Sequence, residues 1–400
     1  MNQNRWILPE GIDELLPVDA ALLESLRREL TDLCLSWGYE LIMPPFIEYL
    51  DSLLTGTGHE SDLQTFKLVD QLNGRMMGVR SDMTPQIARI DAHRLGHTDV
   101  SRLFYMGTTL RTRPDGLSGS RSPLQLGAEI YGHAGAQSDV EIISLMLAIL
   151  RHCAADQALY LDLGHVGIFR GLARQAGLDA DQEALLFDMM QRKSVPEVSG
   201  FVEQNIADRA LGSMFRTMVT LSGGEDVLQQ AAEVFAAAGD PVKEALAELQ
   251  HISRLLHERE DALQIHFDLS ELRGYSYHTG VVFAAYINNQ GQETARGGRY
   301  DDIGECFGRS RPATGFSTDL KQLAALLAAR RAGNEKRKAI YVPDTSLAGV
   351  WDEINRLRHA GEIVACALSD AVPESDTLCF DRQLVKDNGT WKLKDYKHGE

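Results

Sequence analysis

Glu271-Leu-Arg-Gly-Tyr-Ser-Tyr-His-Thr-Gly-Val-Val-Phe283 is the stretch that decides the fold of this chain, and we refer to it as the signature run. It combines one arginine, Arg273, with two glycines and two tyrosines, and it ends in β-branched and aromatic residues. Glycines followed by such residues indicate a turn that leads into a strand. We therefore predict a strand–turn–strand unit at the edge of a sheet.

Composition limits the possible architectures. The chain has 400 residues, of which 44% are hydrophobic and 24% charged, so it can bury large cores, and we expect two domains. It contains no uninterrupted apolar stretch of about 18 residues, and its start lacks the pattern of a signal peptide. We expect a cytoplasmic protein without a membrane anchor.

The cysteines predict neither disulfides nor zinc. There are five, far apart and without a Cys-x-x-Cys pair: Cys34, Cys153, Cys306, Cys366 and Cys379. An odd number at irregular spacing fits neither a disulfide framework nor a metal site. We expect ordinary thiols and no bound metal.

The formal net charge of −17 opposes the binding of nucleic acid, whose phosphates are bound chiefly by Lys and Arg. A basic run at 330–338 is the exception, and a solvated linker is the simpler interpretation of it. No tRNA partner is expected.

Hydrophobic periodicity predicts an α+β fold. An amphipathic helix over Asp19–Trp37 is followed by a strand at Tyr39–Met43 that ends at Pro44-Pro45. The remaining predicted elements of this half are strands at Met76–Val79, Arg102–Leu110 and Leu124–Gly132, a helix at about 138–153, and a strand at Leu159–Leu163. The second and third of these strands flank a loop rich in Gly, Ser and Pro and should pair antiparallel.

A helical insertion is predicted between about 166 and 261, where Leu, Ala, Met and Gln dominate. Strands then resume at Ile265–Asp268, 271–287 and 294–299, before a helix at 318–331. We predict one domain over 1–332, with an antiparallel sheet flanked by helices, and a small C-terminal α/β domain over 338–400.

Five segments in the same order resemble the histidyl-tRNA synthetase family. The signature run resembles that family's Leu-Val-Arg-Gly-Leu-Asp-Tyr-Tyr-Thr-Gly, and the first helix, strand and prolines resemble motif 1 of class II aminoacyl-tRNA synthetases. Arg80–Thr84, Leu110–Glu129 and Gly297–Asp301 resemble three further family segments, the second being motif 2. The resemblance covers roughly residues 5–330 and implies a class II synthetase-like fold.

The resemblance also implies a pocket for free histidine. The α-ammonium of the histidine would bind Asp82, Gln125 and Glu129, and its carboxylate would bind Arg111 or Arg273. The rings of Tyr277 and Tyr300 would pack against the imidazole. The full predicted set is Asp82, Thr84, Arg111, Gln125, Glu129, Arg273, Tyr277, His278 and Tyr300. Taken singly, each has a structural alternative, such as a surface charge, a core aromatic or half of an ion pair.

The residues that bind ATP in the family are altered. The motif 2 acid corresponds to Arg113, and the motif 3 segment Gly315–Leu323 carries Asp319 and Gln322 where the family has a glycine and the phosphate-binding arginine. Losing a guanidinium and gaining an anion opposes stabilisation of a triphosphate. We expect no ATP-dependent activation of histidine and no cofactor.

The chain keeps the residues that bind the amino acid and alters those that bind ATP. In this it resembles a related family, the regulatory subunits of ATP phosphoribosyltransferase, whose usual motif sequences occur at Arg111–Gly116 and Arg273–Gly280. This resemblance implies a non-catalytic subunit that activates a short-form catalytic partner and mediates feedback by L-histidine in the first step of histidine biosynthesis. It also implies a homodimer within a larger hetero-oligomer. A working histidyl-tRNA synthetase and a stand-alone histidine-binding module remain the alternatives.

Overall fold

The computed structural model describes residues 6–56, 59–114, 119–154, 157–260, 263–272, 274–275, 277–288, 291–330, 336–368 and 374–396. The chain forms two compact units: Met1–Asp13 with Arg27–Leu326, and Glu14–Leu26 with Leu327–Glu400. The division falls near the predicted domain boundary, but the predicted bounds of 1–332 and 338–400 stay a prediction.

Nine strands of the first unit form its main sheet. Numbered in chain order, they are β1 (Glu40–Leu41), β5 (Ser101–Thr108), β6 (Leu124–Tyr131), β7 (Leu159–His165), β8 (Ser222–Gly223), β9 (Gln264–Asp268), β10 (Val281–Ile287), β11 (Ala295–Arg299) and β12 (Ala313–Asp319). Their order is β1-β5-β6-β12-β11-β10-β7-β9-β8, antiparallel except at β1–β5 and β7–β9. The predicted antiparallel pairing of β5 with β6 is confirmed.

The prediction for the signature run was wrong in one respect. Turns occupy its first part, and the strand that follows, β10, lies inside the sheet between β7 and β11 and not at an edge. The preceding strand, β9, is separated from β10 by β7. The turn therefore emerges near the middle of the sheet, where strands on both sides can supply neighbours.

Six helices make up most of the predicted insertion, as expected: α6 (Val166–Ala176), α7 (Ala180–Gln191), α8 (Val195–Asn205), α9 (Arg209–Met218), α10 (Asp226–Val234) and α11 (Asp240–Arg259). The block is not wholly helical, because Ser222 and Gly223 pair with β9. Gly223 and Gly224 lie between α9 and α10.

Three further strands were missed by the sequence patterns or assigned to no sheet of their own. They are β2 (Ile47–Tyr49), β3 (Phe66–Val69) and β4 (Met76–Val79), which pair antiparallel in the order β2-β4-β3. The other helices of the N-terminal half are α1 (Pro17–Ser36), α2 (Leu50–Leu54), α3 (His59–Gln64), α4 (Thr84–Ile90) and α5 (Ala136–Ala154). Helix α4 continues into a π-helical turn at Asp91–Leu95 and starts at a predicted site residue, Thr84.

The second unit contains a four-stranded sheet in the order β14-β13-β15-β16. Its elements are β13 (Arg337–Val342), α13 (Val350–His359), β14 (Val364–Cys366), β15 (Leu378–Asp387) and β16 (Thr390–Asp395). Ile340, Val342, Ile354 and Leu384 lie in its core. A small α/β fold was predicted here and is confirmed. Helix α12 (Leu320–Arg330) begins in the first unit and ends in the second.

Within the described residues, no helix is both long and apolar enough to cross a membrane, and no group of His, Cys, Asp and Glu side chains has the arrangement of a metal site. All five cysteines are unpaired thiols, with Cys34 and Cys153 buried. Burial raises the pKa of both buried thiols to about 12, so they are unreactive at neutral pH.

Candidate functional site

Glu129 is the most deeply buried carboxylate of the predicted site. It lies on β6, and only 1% of its surface is exposed. Gly315 on β12 stands directly opposite in the antiparallel register. A Cβ at residue 315 would lie only 1.5 Å from Oε2 of Glu129, so the glycine provides the space that the carboxylate occupies.

Three hydroxyl groups surround this carboxylate and, with it, form what we call the carboxylate cage. Oε1 accepts hydrogen bonds from Thr84 Oγ1 at 3.0 Å and from the Tyr105 hydroxyl at 2.9 Å. Oε2 accepts from the Tyr300 hydroxyl. Thr84 reaches the cage from the first turn of α4, Tyr105 from β5 and Tyr300 from the end of β11. A buried polar group is thereby satisfied by partners from three separate elements.

Burial outweighs these hydrogen bonds in setting the charge of the cage. It raises the pKa of Glu129 to about 8 from an ordinary 4.5, although the three hydroxyl donors lower it. Glu129 is therefore mostly protonated at neutral pH. It can donate a proton or a hydrogen bond to a ligand as well as accept one.

We predict that Glu129 makes the protein less stable as pH rises. The folded state binds the Glu129 proton more tightly than the unfolded state, so the stabilisation is complete below pH 4.5 and is lost as pH rises through about 8. Since one pKa unit corresponds to about 1.4 kcal/mol, the loss can reach several kcal/mol. Urea unfolding of the protein and of Glu129→Gln should show the stability difference between them shrinking from pH 5.5 to 8.5. A pH-independent difference would contradict the prediction.

Asp82 lies closer to solvent than the cage and is hydrogen-bonded to Gln125. Gln125 Nε2 donates to Asp82 Oδ1 at 2.6 Å, and Gln125 Oε1 accepts from the backbone N–H of Met83 at 3.0 Å. Asp82 also accepts from the N–H of Thr84 at 3.2 Å. Gln125 is buried and Asp82 half-buried. The pair offers acceptor oxygens to a ligand ammonium from a fixed position.

An aromatic wall stands beside the cage. The rings of Tyr277 and Tyr300 stack with centroids 5.0 Å apart and an interplanar angle of 28°. The Tyr277 hydroxyl is buried and has no hydrogen-bond partner among the described residues. Burial raises the pKa of Tyr277, so this hydroxyl keeps its proton and can donate. An unsatisfied buried hydroxyl costs free energy that a polar ligand atom would recover.

His278 occupies a tighter position than Tyr277. Its ring lies against Gly274 and Gly298, where added Cβ atoms would come within 2.5 and 2.7 Å of ring atoms. It meets the Tyr277 ring edge-on at 5.4 Å. The two glycines therefore permit His278 to pack where a larger neighbour would clash. Arg273, the remaining predicted ligand-binding residue of the signature run, lies outside the described residues.

Arg111 lines a polar cavity of about 300 Å³ next to the pair Asp82–Gln125. Gln125 is also in its wall, and the ATP-position residues Asp319 and Gln322 lie in it too. Arg113, the third altered position, is exposed and is not among the cavity residues. The wall of the cavity thus contains two residues predicted to bind the amino acid, Arg111 and Gln125, and two of the three altered ATP-site positions.

Asp319 has a structural use in this cavity. It precedes the first residue of α12, and its Oδ1 accepts the backbone N–H groups of Lys321 and Leu124, each at 3.0 Å. The carboxylate caps the helix and ties it to β6. Burial raises the pKa of Asp319, and the nearby Arg111 and the two N–H groups partly offset this rise.

The structure thus brings together Asp82, Thr84, Gln125, Glu129, Tyr277 and Tyr300, and it places Arg111 at the adjoining cavity. Sequence reasoning missed Tyr105, which lies inside the predicted strand 102–110 and carried no motif of its own. Arg299 lies within the family-like run Gly297–Asp301 and makes structural contacts. It is buried and pairs with Asp139 at 2.8 Å.

Two family models match the chain. One, described as histidyl-tRNA synthetase, matches residues 11–323, and the other, described as the ATP phosphoribosyltransferase subunit HisZ C-terminal domain, matches residues 337–394. The division between the two matches falls in the part of the chain where the small C-terminal sheet begins.

Among curated proteins, the chain is 52% identical over 395 residues to an ATP phosphoribosyltransferase regulatory subunit of Thioalkalivibrio sulfidiphilus, covering 98% of this chain and 99% of that protein. It is 51% identical over 392 residues to the protein of the same name from Pseudomonas fluorescens, covering 98% of each.

Solved structures agree on the fold. A Bacillus halodurans protein described as an ATP phosphoribosyltransferase regulatory subunit/histidyl-tRNA synthetase superposes with a TM-score of 0.78 at 26% identity, covering 93% of this chain and 95% of that one. A histidyl-tRNA synthetase from Nostoc sp. PCC 7120 gives 0.76 at 18% identity, covering 99% and 96%, which shows the fold alone. The class II synthetase-like fold predicted from the sequence is confirmed.

Proposed function

The chain belongs to the family of ATP phosphoribosyltransferase regulatory subunits, and from this premise we propose that it activates a short-form catalytic subunit and makes that subunit sensitive to L-histidine. The subunit itself is non-catalytic. It serves the first step of histidine biosynthesis in the cytoplasm. Membership of the family supports the regulatory role, and the geometry of the site supports the choice of ligand.

The Tyr277 hydroxyl has no hydrogen-bond partner among the residues that the structure describes, and this observation carries the assignment of histidine. It lies on an aromatic wall beside the carboxylate cage, where an imidazole can stack and bring a ring nitrogen within hydrogen-bond reach. Asp82, bonded to Gln125, lies nearer the solvent, and Arg111 lies at the adjoining cavity. A histidine would therefore place its ring inward and its charged α-groups outward.

This orientation changes the role proposed for Glu129. From the sequence, Glu129 was expected to bind the α-ammonium together with Asp82 and Gln125. In the structure its two oxygens already accept three hydroxyl groups at the buried end of the site. We therefore assign Glu129 to the imidazole end and leave the ammonium to Asp82 and Gln125.

The cavity beside Arg111 supports a non-catalytic role. A triphosphate requires concentrated positive charge, but Asp319 brings a carboxylate into the wall and Gln322 is uncharged. Glu293 adds a second carboxylate and is paired with Arg296 at 3.1 Å. The lining is thus nearly balanced in charge and poorly suited to ATP.

Feedback requires that histidine bind one conformation of the subunit better than another. By linkage, the same free energy then changes the affinity of the subunit for its catalytic partner. We propose that the Tyr277–His278 segment and Glu129 report occupancy of the site, and that Arg273 takes part in this.

The decisive experiment mixes the purified chain with a short-form catalytic subunit and measures phosphoribosyl-ATP formation with and without histidine. We expect activation by the chain and inhibition by histidine. Tyr277→Phe should leave activation intact but weaken inhibition about 2- to 10-fold, the usual effect of one neutral hydrogen bond. Tyr160→Phe, on β7 and outside the site, is the matched control.

Other outcomes would select the alternatives. Histidine-dependent exchange between ATP and pyrophosphate by the chain alone would indicate a working synthetase. Histidine binding without any effect on the catalytic subunit would indicate a stand-alone binding module. Activation that histidine leaves unchanged in the unaltered protein would refute the feedback proposal while keeping the regulatory role.

We also propose a homodimer built through motif 1, within a larger hetero-oligomer and without tRNA. Five apolar side chains of this region are well exposed, namely Leu35, Leu41, Met43, Phe46 and Ile47. Strand β1 is also an edge strand of the main sheet. Exposed apolar groups at a sheet edge are typical of a surface that a second copy covers.

A further inference from the structure

Tyr275 lies two residues before Tyr277 in the signature run but has an entirely different environment. Its ring stacks on Phe187 of α7, with centroids 4.9 Å apart and an angle of 29°. It also meets the edge of Phe169 of α6 at 5.3 Å and 82°. The side chain of Tyr275 thus packs among the helices of the insertion, whereas Tyr277 belongs to the aromatic wall of the site.

Polar contacts hold Tyr275 in the same place. Arg170 of α6 donates from Nη2 to the backbone carbonyl of Tyr275 at 2.6 Å, and its guanidinium lies 4.6 Å from the centre of the tyrosine ring. The Tyr275 hydroxyl donates to the carboxylate of Glu183 on α7. Burial lowers the pKa of Arg170, while Asp302 and Glu183 oppose that shift, so the guanidinium remains charged.

Backbone hydrogen bonds join the described residues of the turn that carries both tyrosines. The carbonyl of Gly274 accepts the N–H groups of Tyr277 at 2.8 Å and His278 at 2.7 Å, and the N–H of Tyr275 donates to Leu272 at 3.0 Å. Gly274 has a φ of +67°, a conformation that side-chain-bearing residues rarely adopt. Because these bonds link Tyr277 and His278 to the residue next to Tyr275, we expect displacement of Tyr275 to displace Tyr277 as well.

We propose that Tyr275 is a positioning residue that couples the amino-acid site to the helical insertion through this turn. Because its side chain packs between α6 and α7, Tyr275 holds Tyr277 in the conformation that binds ligand. By reciprocity, a ligand that contacts Tyr277 stabilises the packing of α6 and α7. The insertion is therefore the element that responds to occupancy of the site. The identity of the ligand rests on the proposed function, whereas the coupling itself does not.

The coupling can be tested without a ligand by hydrogen exchange. Phe187→Ala removes the stacking partner of Tyr275 from the insertion and touches no residue of the site. We expect amide exchange in peptides covering 274–280 to become at least about tenfold faster, because the bonded turn loses its anchor. Glu183→Gln keeps the packing and should give a smaller increase of the same kind.

The control is Phe215→Leu, which perturbs the same aromatic cluster at one remove. Phe215 of α9 meets Phe169 at 6.1 Å and is fully buried. It should loosen the insertion but leave exchange at 274–280 unchanged. Equal acceleration by Phe215→Leu and Phe187→Ala would show general destabilisation, and no acceleration by Phe187→Ala would show independent segments. Either result overturns the proposal.

Calorimetric titration with histidine provides the second measurement. Tyr275→Phe, which loses only the bond to Glu183, should weaken histidine binding about threefold. Tyr275→Ala should weaken it at least about tenfold, although the side chain of residue 275 lies among the helices and not in the site. Addition of histidine should slow exchange in α6 and α7 of the unaltered protein but not of Tyr275→Ala.

The two measurements separate the proposals. If the unaltered protein binds no histidine while Phe187→Ala still accelerates exchange at 274–280, the coupling stands and the ligand assignment fails. If histidine binds but neither Tyr275 variant changes its affinity, the ligand assignment stands and the positioning role of Tyr275 fails.

Discussion

Gly315→Ala is expected to cause the largest loss of stability of any single methyl addition in the site, together with loss of histidine binding. The new Cβ would lie 1.5 Å from Oε2 of Glu129 and 2.8 Å from the carbonyl oxygen of Ala128. The carboxylate cannot stay in place. Its displacement would also leave the hydroxyls of Thr84, Tyr105 and Tyr300 without their acceptor in a buried environment.

The expected destabilisation is the sum of two known effects. Overpacking a core typically costs about 1–3 kcal/mol, and each buried polar group left unpaired costs about 1–3 kcal/mol more. We therefore expect a loss of roughly 3 kcal/mol or more, measured by urea unfolding at pH 7. Gly200→Ala is the control, since no atom lies within 4 Å of its added Cβ and Gly200 is inside a helix.

A double-mutant cycle tests the cause directly. Glu129→Ala alone removes the acceptor, and Gly315→Ala alone creates the clash with the carboxylate. In the double variant that clash is gone, and only the 2.8 Å approach to the carbonyl oxygen of Ala128 remains. The double variant should be more stable than the two single effects predict, by about 1 kcal/mol or more. Additive losses, or a Gly315→Ala protein as stable as the original, would mean that Gly315 does not make room for Glu129.

Much of the fold was predictable because its signals are local. Helix α1 shows leucines at helical spacing, and the strands β5 and β6 flank a loop of turn-forming residues. Both predictions agree with the structure to within a few residues. The helical character of the insertion followed from composition alone. These features depend on neighbours in the chain, which a sequence displays directly.

Strand β12 was not predicted, because the contacts that make this segment a strand are not local. Ala313–Asp319 has small residues and a glycine in place of a strong strand pattern, and it pairs with β6 and β11 on either side. Gly315 weakens the strand signal but is required by Glu129 across the sheet. A residue that satisfies a distant partner at the expense of local propensity is hard to recognise from one sequence.

The candidate site could be proposed from the sequence as a set of residues but not as an arrangement, and its binding of histidine stays a prediction. Resemblance supplied Asp82, Thr84, Gln125, Glu129 and Tyr277, whereas burial decided that Glu129 is the protonated inner group and Asp82 the outer one. Tyr105 was absent from the prediction since nothing in its segment distinguishes a hydroxyl that serves the cage from a core aromatic. Depth in the protein is a property of the assembled sheet.

Met43→Glu is expected to convert the proposed homodimer into monomers. Met43 follows β1 and is 73% exposed, so a polar side chain costs the isolated fold little. In a two-fold interface each substitution occurs twice, and a carboxylate placed among Leu41, Phe46 and Ile47 would be buried without a partner. We expect the dimer dissociation constant to rise by at least about 100-fold, since each buried carboxylate adds its own penalty.

Sedimentation over a range of concentrations measures this effect. Leu185→Glu is the control, because Leu185 is also an exposed apolar residue, 50% accessible, but lies on α7. If Met43→Glu sediments like the unaltered protein, or if Leu185→Glu dissociates equally, the motif 1 surface is not the dimer contact. Should monomeric Met43→Glu bind histidine like the unaltered protein but fail to activate the catalytic subunit, dimerisation is required for regulation.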